Sequence, residues 1–359
     1  MPRLRTVSPD MPGWRRRRSG RGFAYTDATG ARLGSEDVER IRSLAIPPAW
    51  RDVWICPYPN GHIQAVGTDD AGRRQYLYHP QWRAKRDRAK FQRVATAAQR
   101  LPAARRRVAR DLANEGMPYE RAAAAAVRLL DLGYFRIGSD AYADVNGSFG
   151  LTTLERSHVR KKQGGVVFSF VGKSGVSHTI EIDDADVIRA LDRMRTRRDR
   201  RSRRLLAYRD PAGWIDLDAA AVNRYLSGLL GGEMTAKDFR TWHATVIAAA
   251  ALASSSEPGT TKASRRRAVK AAVQEVSAYL GNTPTIAKGS YIDPRVIDRY
   301  EEGQTIGDAA RRRYRSTSAR QLALERAVLE LLEEPEVQLP SSREGRTSSP
   351  PAAERRRQR

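Results

Sequence analysis

The chain has 359 residues, enough for two domains and too many for a single small one. Its 65 Lys and Arg against 41 Asp and Glu give a formal charge of +24, a field that attracts nucleic acid first and an anionic membrane surface second. A 40% share of hydrophobic residues argues against wholesale disorder, and the longest nearly apolar stretch, Ala244 to Ala253, has about half the ~20 residues a bilayer span needs. Lone Cys56 excludes an internal disulfide and fits a reducing cytosol, and the first residues have no apolar h-region, so with the charge a soluble, cytoplasmic, nucleic-acid-associated protein is expected. Only 9 of the 65 basic residues are lysine, a bias that genome base composition can produce; net charge therefore carries more weight than the choice of arginine.

In chain order, residues 1–82 are punctuated by Pro and Gly and read as loops and short strands. Phe23-Ala-Tyr-Thr and Val53-Trp-Ile-Cys are expected strands, and Ser35, read as a helix cap, opens a short helix. His62 to Asp69 and Gln75 to Tyr78 flank Asp69-Asp-Ala-Gly, a hairpin-like turn. From Arg83 the texture becomes helical. Between Glu120 and Leu132 the alanines and leucines follow helical spacing, with Gly133 where a C-cap would stand. One interruption, Val166 to Val171, Gly172-Lys-Ser-Gly, then Val176 to Ile182, reads as a β-hairpin with Lys173 at its tip. Helices resume at Asp184. Arg193 to Arg204 holds eight arginines in twelve positions, a run that suits a solvated helix face or a lining for duplex DNA. Ser254 to Thr261 reads as a loop, Ala263 to Tyr279 as a helix, and residues 338–359 as a disordered basic tail.

Several motifs fail. Gly172-Lys173-Ser174 resembles the end of a phosphate-binding loop, but Val167 stands where the partner glycine belongs, so an ATP site is not expected. The five histidines (62, 79, 158, 178, 243) lie far apart and there is one cysteine, so neither a metal nor another cofactor is expected. What remains is four segments that place polar groups beside apolar frames: Gly133-Tyr-Phe-Arg136-Ile-Gly-Ser, the Lys173 hairpin, Thr235-Ala-Lys237-Asp-Phe-Arg240-Thr-Trp, and Asn282-Thr-Pro-Thr-Ile-Ala-Lys-Gly-Ser-Tyr291.

On these segments, over roughly residues 20 to 315, the chain resembles a type IB DNA topoisomerase of the poxvirus-like bacterial branch. Leu44 to Ile55 and Gly72-Arg-Arg-Gln-Tyr-Leu-Tyr-His are similar to that family's N-terminal module, and Arg136, Lys173, Lys237-x-x-Arg240, Asn282 and Tyr291 to its active site. The resemblance implies Tyr291 as the nucleophile forming a 3′-phosphotyrosyl bond, and Lys173 as the acid that protonates the leaving 5′-oxygen. Arg136 and Arg240 would then face the charged pentacoordinate phosphorus. A covalent intermediate retains the bond energy for religation, so no ATP is required. Arg73, Gln75, Tyr76, Tyr78 and Lys237 would meet DNA; on a strand, Gln75 faces opposite to Tyr76 and Tyr78. Two positions depart from the viral pattern: Asn282 stands where those enzymes have His, and Gly289 where relatives often carry a basic residue.

Taken singly, each residue also has a purely structural reading. Arg136 would neutralise a helix end, Lys173 would be a solvated turn lysine, Arg240 a surface partner of Asp238, Tyr291 a packing aromatic, and His243 a helix-packing histidine. Two other functions compete: a tyrosine site-specific recombinase, which generally has His-x-x-Arg at the second arginine, and a non-catalytic basic DNA-compacting protein. The expected fold is α+β. It comprises a small β-rich N-terminal DNA-binding domain (1–82) and a larger, mainly helical catalytic domain (83–325), closing as a monomer around duplex DNA.

Overall fold

The computed structural model describes residues 3–132, 135–138, 147–199, 201–232, 234–255 and 261–333. Gly133, the tip of the 254–261 loop and the basic tail lie outside the described residues.

The N-terminal region is a five-stranded antiparallel sheet in the order β2-β1-β3-β4-β5: β1 Trp14–Ser19, β2 Gly22–Thr26, β3 Arg51–Ile55, β4 Ile63–Thr68 and β5 Arg74–Tyr78. Strand β1, Trp-Arg-Arg-Arg-Arg-Ser, is not among the expected strands, because a run of one residue type hides the two-residue period. Trp14 turns inward to a small core with Ile41, Val53, Ile55 and Ala65. Arg16 follows it inward, and its guanidinium donates to the carbonyls of Pro47 (3.1 Å) and Trp50 (2.6 Å), which fixes the loop before β3. Helix α1 (Ser35–Ser43) lies beside the sheet; Gly34 is its N-cap, so Ser35 lies inside the first turn and does not cap it.

Strand β5 passes directly into α2 (Pro80–Ala98). His79 caps that helix, its Nδ1 accepting from the Gln81 N–H at 3.2 Å, and Pro80 takes the first helical position. The boundary read at residues 82 and 83 therefore falls within a continuous helix.

The remainder is mainly helical: α3 (Leu101–Leu112), α4 (Tyr119–Asp131), α5 (Ala185–Arg195), α6 (Ala219–Leu230), α7 (Ala236–Ala253), α8 (Lys262–Leu280), α9 (Pro284–Ser290), α10 (Pro294–Glu301), α11 (Gly307–Arg311) and α12 (Thr317–Leu332). Helix α4 is apolar on every side from Ala122 to Leu130 apart from Arg128, and it is accordingly the buried centre of the body. Helix α7 is almost as enclosed, with Phe239 and Trp242 in the main core. Two β-elements interrupt the helices. The expected hairpin gains a third strand, giving β6 (Val159–Lys162), β7 (Gly165–Val171) and β8 (Ser177–Ile182), and a further hairpin joins β9 (Ala207–Asp210) to β10 (Gly213–Asp216). The Arg193 to Arg204 run is a helix face only as far as Arg195; beyond α5 it continues as a loop. Buried Arg197 donates to the carbonyls of Met194 (2.8 Å) and Leu205 (3.0 Å), holding the loop together from inside.

A buried ionic cluster joins three helices. Arg105 on α3 forks onto both oxygens of Asp131 on α4 (2.7 and 2.7 Å) and onto Glu325 on α12 (2.6 and 2.8 Å). Burial alone would raise the Asp131 carboxyl; the hydrogen bonds and charge of Arg105 outweigh it and hold the group below its usual range. Removing one member of such a cluster leaves buried charge uncompensated. Arg105→Ala should therefore lower the unfolding free energy by about 3–5 kcal/mol, read from urea denaturation; a loss within ~0.5 kcal/mol, as at an ordinary surface site, would show that the cluster carries no such weight.

Candidate active site

Four chain segments converge at the C-terminus of α8. That helix ends at Leu280, and Gly281 follows in the left-handed region (φ 60°), where glycine is favoured, turning the chain towards α9. The carbonyls at a helix end have no partners within the helix. Here Arg240, one turn into α7 and only 4% exposed, donates to the Leu280 carbonyl at 2.6 Å. Arg136 reaches the same carbonyl and that of Gly281 at 3.4 Å each, and donates to Asn282 Oδ1 at 2.7 Å. The structural reading of Arg136 thus holds in an altered form: it meets a helix C-terminus, that of α8, far along the chain. Arg240 does not pair with Asp238, whose carboxylate caps α7 at Thr235 and takes Arg93 at 3.1 Å.

Arg136 lies on an extended strap whose carbonyl accepts from the Leu151 N–H at 2.7 Å. Its neighbour Phe135 is buried edge-on against Phe168 (centroids 4.9 Å) and parallel to Phe170 (6.1 Å), both on β7. The strap and the hairpin therefore share one aromatic core. Lys173 sits beyond it on the exposed turn between β7 and β8, where Ser174 adopts φ 64° and Gly175 φ 75°.

Tyr291 is the C-cap of α9, its N–H bonded to the Ala287 carbonyl at 3.0 Å. On the far side the chain is pinned by Thr245, whose hydroxyl accepts from the Asp293 N–H at 3.1 Å, while Asp293 caps α10. The ring is 9% exposed and lies 5.6 Å from the Arg240 guanidinium carbon. Burial would raise the phenol's pKa, but the positive charges of Arg240, Arg136 and Lys237 more than compensate and hold it below its usual value. Arg240 is itself pushed down to about 10 by burial and by neighbouring Arg136, and so stays charged at neutral pH.

Asn282 shows an informative asymmetry. Its Oδ1 is occupied by Arg136, whereas Nδ2 is buried without a hydrogen-bond partner. The Arg240 Nε is likewise unpartnered. Unsatisfied donors beside two arginines and a phenol make an anion site, suited to the equatorial oxygens of a phosphodiester.

The structure thus brings together Arg136, Arg240, Asn282 and Tyr291, with Lys237 within electrostatic reach. Two further residues were not expected. His178 on β8 stacks on Phe170 (5.2 Å) and has its pKa lowered by burial and by the charges of Arg136 and Arg240. Lys90 on α2 donates to the Ser290 carbonyl at 2.8 Å, next to Tyr291. His178 had a signal in the sequence: in Val176-Ser-His-Thr-Ile-Glu-Ile it occupies an inward-facing place in the alternation. Lys90 had none. His243 is buried in the helical core with its Nε2 at 3.8 Å from Asp131, as a packing histidine should be.

Of the residues read as DNA-facing, Lys237 lies in the first turn of α7, and the other four sit on and beside the edge strand β5. Tyr76 and Tyr78 are exposed and stacked at 6.0 Å, while Gln75 points to the other face. Arg73 and Gln75 are both held by Asp69, which accepts from Arg73 Nε and from Gln75 Nε2 at 2.9 Å each. The Asp69 carboxyl is drawn down to about 2, chiefly by its bond to Arg73. Among the described residues, no group of three or more His, Cys, Asp or Glu is placed to hold a metal ion, and no helix is long and apolar enough to cross a membrane.

Lys237→Met should raise the Tyr291 phenol pKa, because it removes a positive charge that favours the phenolate while leaving both arginines in place. NMR titration of ring-labelled tyrosine reads this directly; an unmoved or lowered value would deny Lys237 any electrostatic part in the site.

Comparison with known proteins shows the family. The profile for the eukaryotic DNA topoisomerase I catalytic core matches residues 79–316, and that for the bacterial DNA topoisomerase IB N-terminal domain matches residues 22–69. DNA topoisomerase 1B of Acanthamoeba polyphaga mimivirus is 30% identical over 303 residues, covering 81% of this chain and 88% of the relative. DNA topoisomerase 1B of Vaccinia virus (strain Copenhagen) is 33% identical over 117 residues, 32% of this chain and 36% of the relative. With a catalytic-core profile spanning four convergent segments and a relative matched over most of its length, the chain belongs to the type IB DNA topoisomerase family.

Proposed function

We propose that this chain relaxes supercoiled duplex DNA by cutting one strand with Tyr291, letting the free end rotate, and resealing the break. The observation that carries the reading is the convergence of Arg136, Arg240 and the open Asn282 amide beside a phenol whose pKa is lowered by those same arginines. In cleavage the Tyr291 oxygen bonds to phosphorus and loses its proton to solvent, while the bond from phosphorus to the 5′-oxygen breaks. Lys173 delivers a proton to that oxygen, which otherwise leaves poorly. The two guanidiniums and Asn282 Nδ2 hold the nonbridging oxygens, whose charge grows in the transition state. The 3′-phosphotyrosyl ester conserves the bond energy, so religation is the same path reversed.

Strand β5 supplies the groove contact, with Tyr76 and Tyr78 outward and Arg73 and Gln75 tethered by Asp69. Residues 1–82 and 83–325 close around the duplex as the two arms of a monomeric clamp, in a bacterial cytoplasm at the nucleoid. A net charge of +24 suits that partner. The recombinase and DNA-compacting readings draw no support from the topoisomerase profiles matched along the chain.

Tyr291→Phe should abolish plasmid relaxation and covalent DNA attachment while leaving duplex affinity largely unchanged, since only the phenolic oxygen becomes the ester. Recovery of a protein–DNA adduct from the Phe variant would overturn the assignment. Asn282→Ala should slow single-turnover cleavage and religation alike by ~10²–10³, about 2.7–4 kcal/mol, because both directions share one transition state. Asn282→His should keep much of the activity through a ring N–H, and unimpaired cleavage by the Ala variant would remove Asn282 from the site.

A further inference from the structure

The Lys173 hairpin must deliver its proton to a place defined by residues on other elements, and the structure contains one side chain that bridges the two. His178 pairs across the hairpin with Phe170 and is the inward-facing residue of β8 nearest the turn, in line with Ile180 and Ile182. Its ring stacks on Phe170 at 5.2 Å with an interplanar angle of 23°, continuing the row that starts at Phe135 beside Arg136. On the turn side the ring fills the space over Gly172: a Cβ there would lie 2.6 Å from the imidazole Cδ2, so the residue preceding Lys173 must lack one. On the other side, a Cβ at Gly281 would lie 3.5 Å from Cε1, ordinary contact distance to the turn that carries Asn282.

We infer that His178 is a positioning residue, an aromatic spacer that seats the Lys173 turn against the α8 C-terminus where Arg136 and Arg240 are gathered. The inference rests on the reading of Lys173 as the proton donor. The ring is not itself the acid: burial and the two guanidiniums favour its neutral form, which lacks the acidic proton of an imidazolium. Neutrality also suits the place, because a third cation there would be repelled by the arginine pair. A flat, stackable, uncharged side chain is what the space between Phe170, Gly172 and Gly281 takes.

A positioning role predicts a pattern that general damage to the fold does not. A misplacement of about 1 Å in a reacting group costs on the order of 10²-fold, and here the loss should fall on the step that needs the lysine. His178→Ala should slow single-turnover cleavage of a normal suicide duplex roughly tenfold to a hundredfold. On a duplex with a 5′-bridging sulfur, which leaves without protonation, it should cleave close to the unmodified protein's rate. His178→Phe, which keeps the stack, should restore most of the speed. Gly172→Ala provides an independent variant, crowding the ring from the turn side, and should show the same dependence on the bridging atom. Adding His178→Ala to Lys173→Ala should produce no further loss, since the two act through one proton transfer.

Equal slowing on both bridging atoms by His178→Ala, or no slowing on either, would overturn the inference. So would rescue by His178→Gln but not His178→Phe, which would mean that the ring acts through its nitrogens. Lys173→Ala measured alongside separates the two possible failures. If it depends on the bridging atom and His178→Ala does not, this inference alone falls; if Lys173→Ala shows no such dependence, the lysine assignment falls and the inference with it.

Discussion

The site depends on one arrangement: two guanidiniums held side by side at the C-terminus of α8. Like charges this close repel, and Arg136 contributes to lowering the pKa of Arg240. What holds them is the set of carbonyls that a helix end leaves unpaired, Leu280 for both arginines and Gly281 for Arg136. A helix dipole at a surface contributes about 0.3–1 kcal/mol, whereas a hydrogen bond to a charged group contributes about 1.5–3 kcal/mol. The direct bonds, more than the dipole, gather the pair. The arrangement also explains the phenol: Tyr291 follows α8 by eleven residues and lies in the field of the cations that the end of α8 recruits.

Because Arg136, His178, Arg240 and Tyr291 come from separate parts of the chain, the site exists only once the helical body has closed. Helix α7 holds Arg240 rigidly because almost every neighbour on it is buried, and the Arg105 cluster ties α3, α4 and α12 together beside it. On the other flank Lys90 joins α2 to the residue before Tyr291, its own pKa lowered by burial. Helix α2 continues β5 through the His79 cap, so only one residue separates the tyrosine-bearing edge strand from the helix whose Lys90 holds the Ser290 carbonyl.

Much of this was legible in the sequence where side chains keep a period. The hairpin around Lys173 and the helix Tyr119–Asp131 follow from alternation and from 3.6-residue spacing. The four site segments were visible as polar residues set in apolar frames. What was hidden has physical reasons. Strand β1 is masked by four consecutive arginines, of which Arg16 faces inward to collect carbonyls. The run after α5 reads as a charged surface, yet Arg197 is buried because backbone oxygens satisfy it. His178 and Asp69 act on residues already singled out, and such supporting roles depend on geometry that spacing does not encode. Arg136, Lys173, Arg240, Asn282 and Tyr291 came as a set from a resemblance; the residues alone left each with a structural alternative.

The amide at position 282 shows how far chemistry constrains such a site. A guanidinium can only donate, so the atom of Asn282 facing Arg136 must be Oδ1, and Nδ2 is forced to the opposite side. Its lack of a partner follows from that orientation and is not an accident of packing. A buried donor left unpaired costs about 1–3 kcal/mol, a destabilisation the fold tolerates at this point and offsets elsewhere. An imidazole would meet the same two demands with two ring nitrogens, one accepting from the arginine and the other donating into the site. Amide and imidazole are thus interchangeable as hydrogen-bonding devices and differ only in whether a proton can leave. With Lys173 carrying the acid role in the proposed mechanism, position 282 needs no titratable proton. The site requires only a donor whose direction is fixed, and Arg136 fixes it.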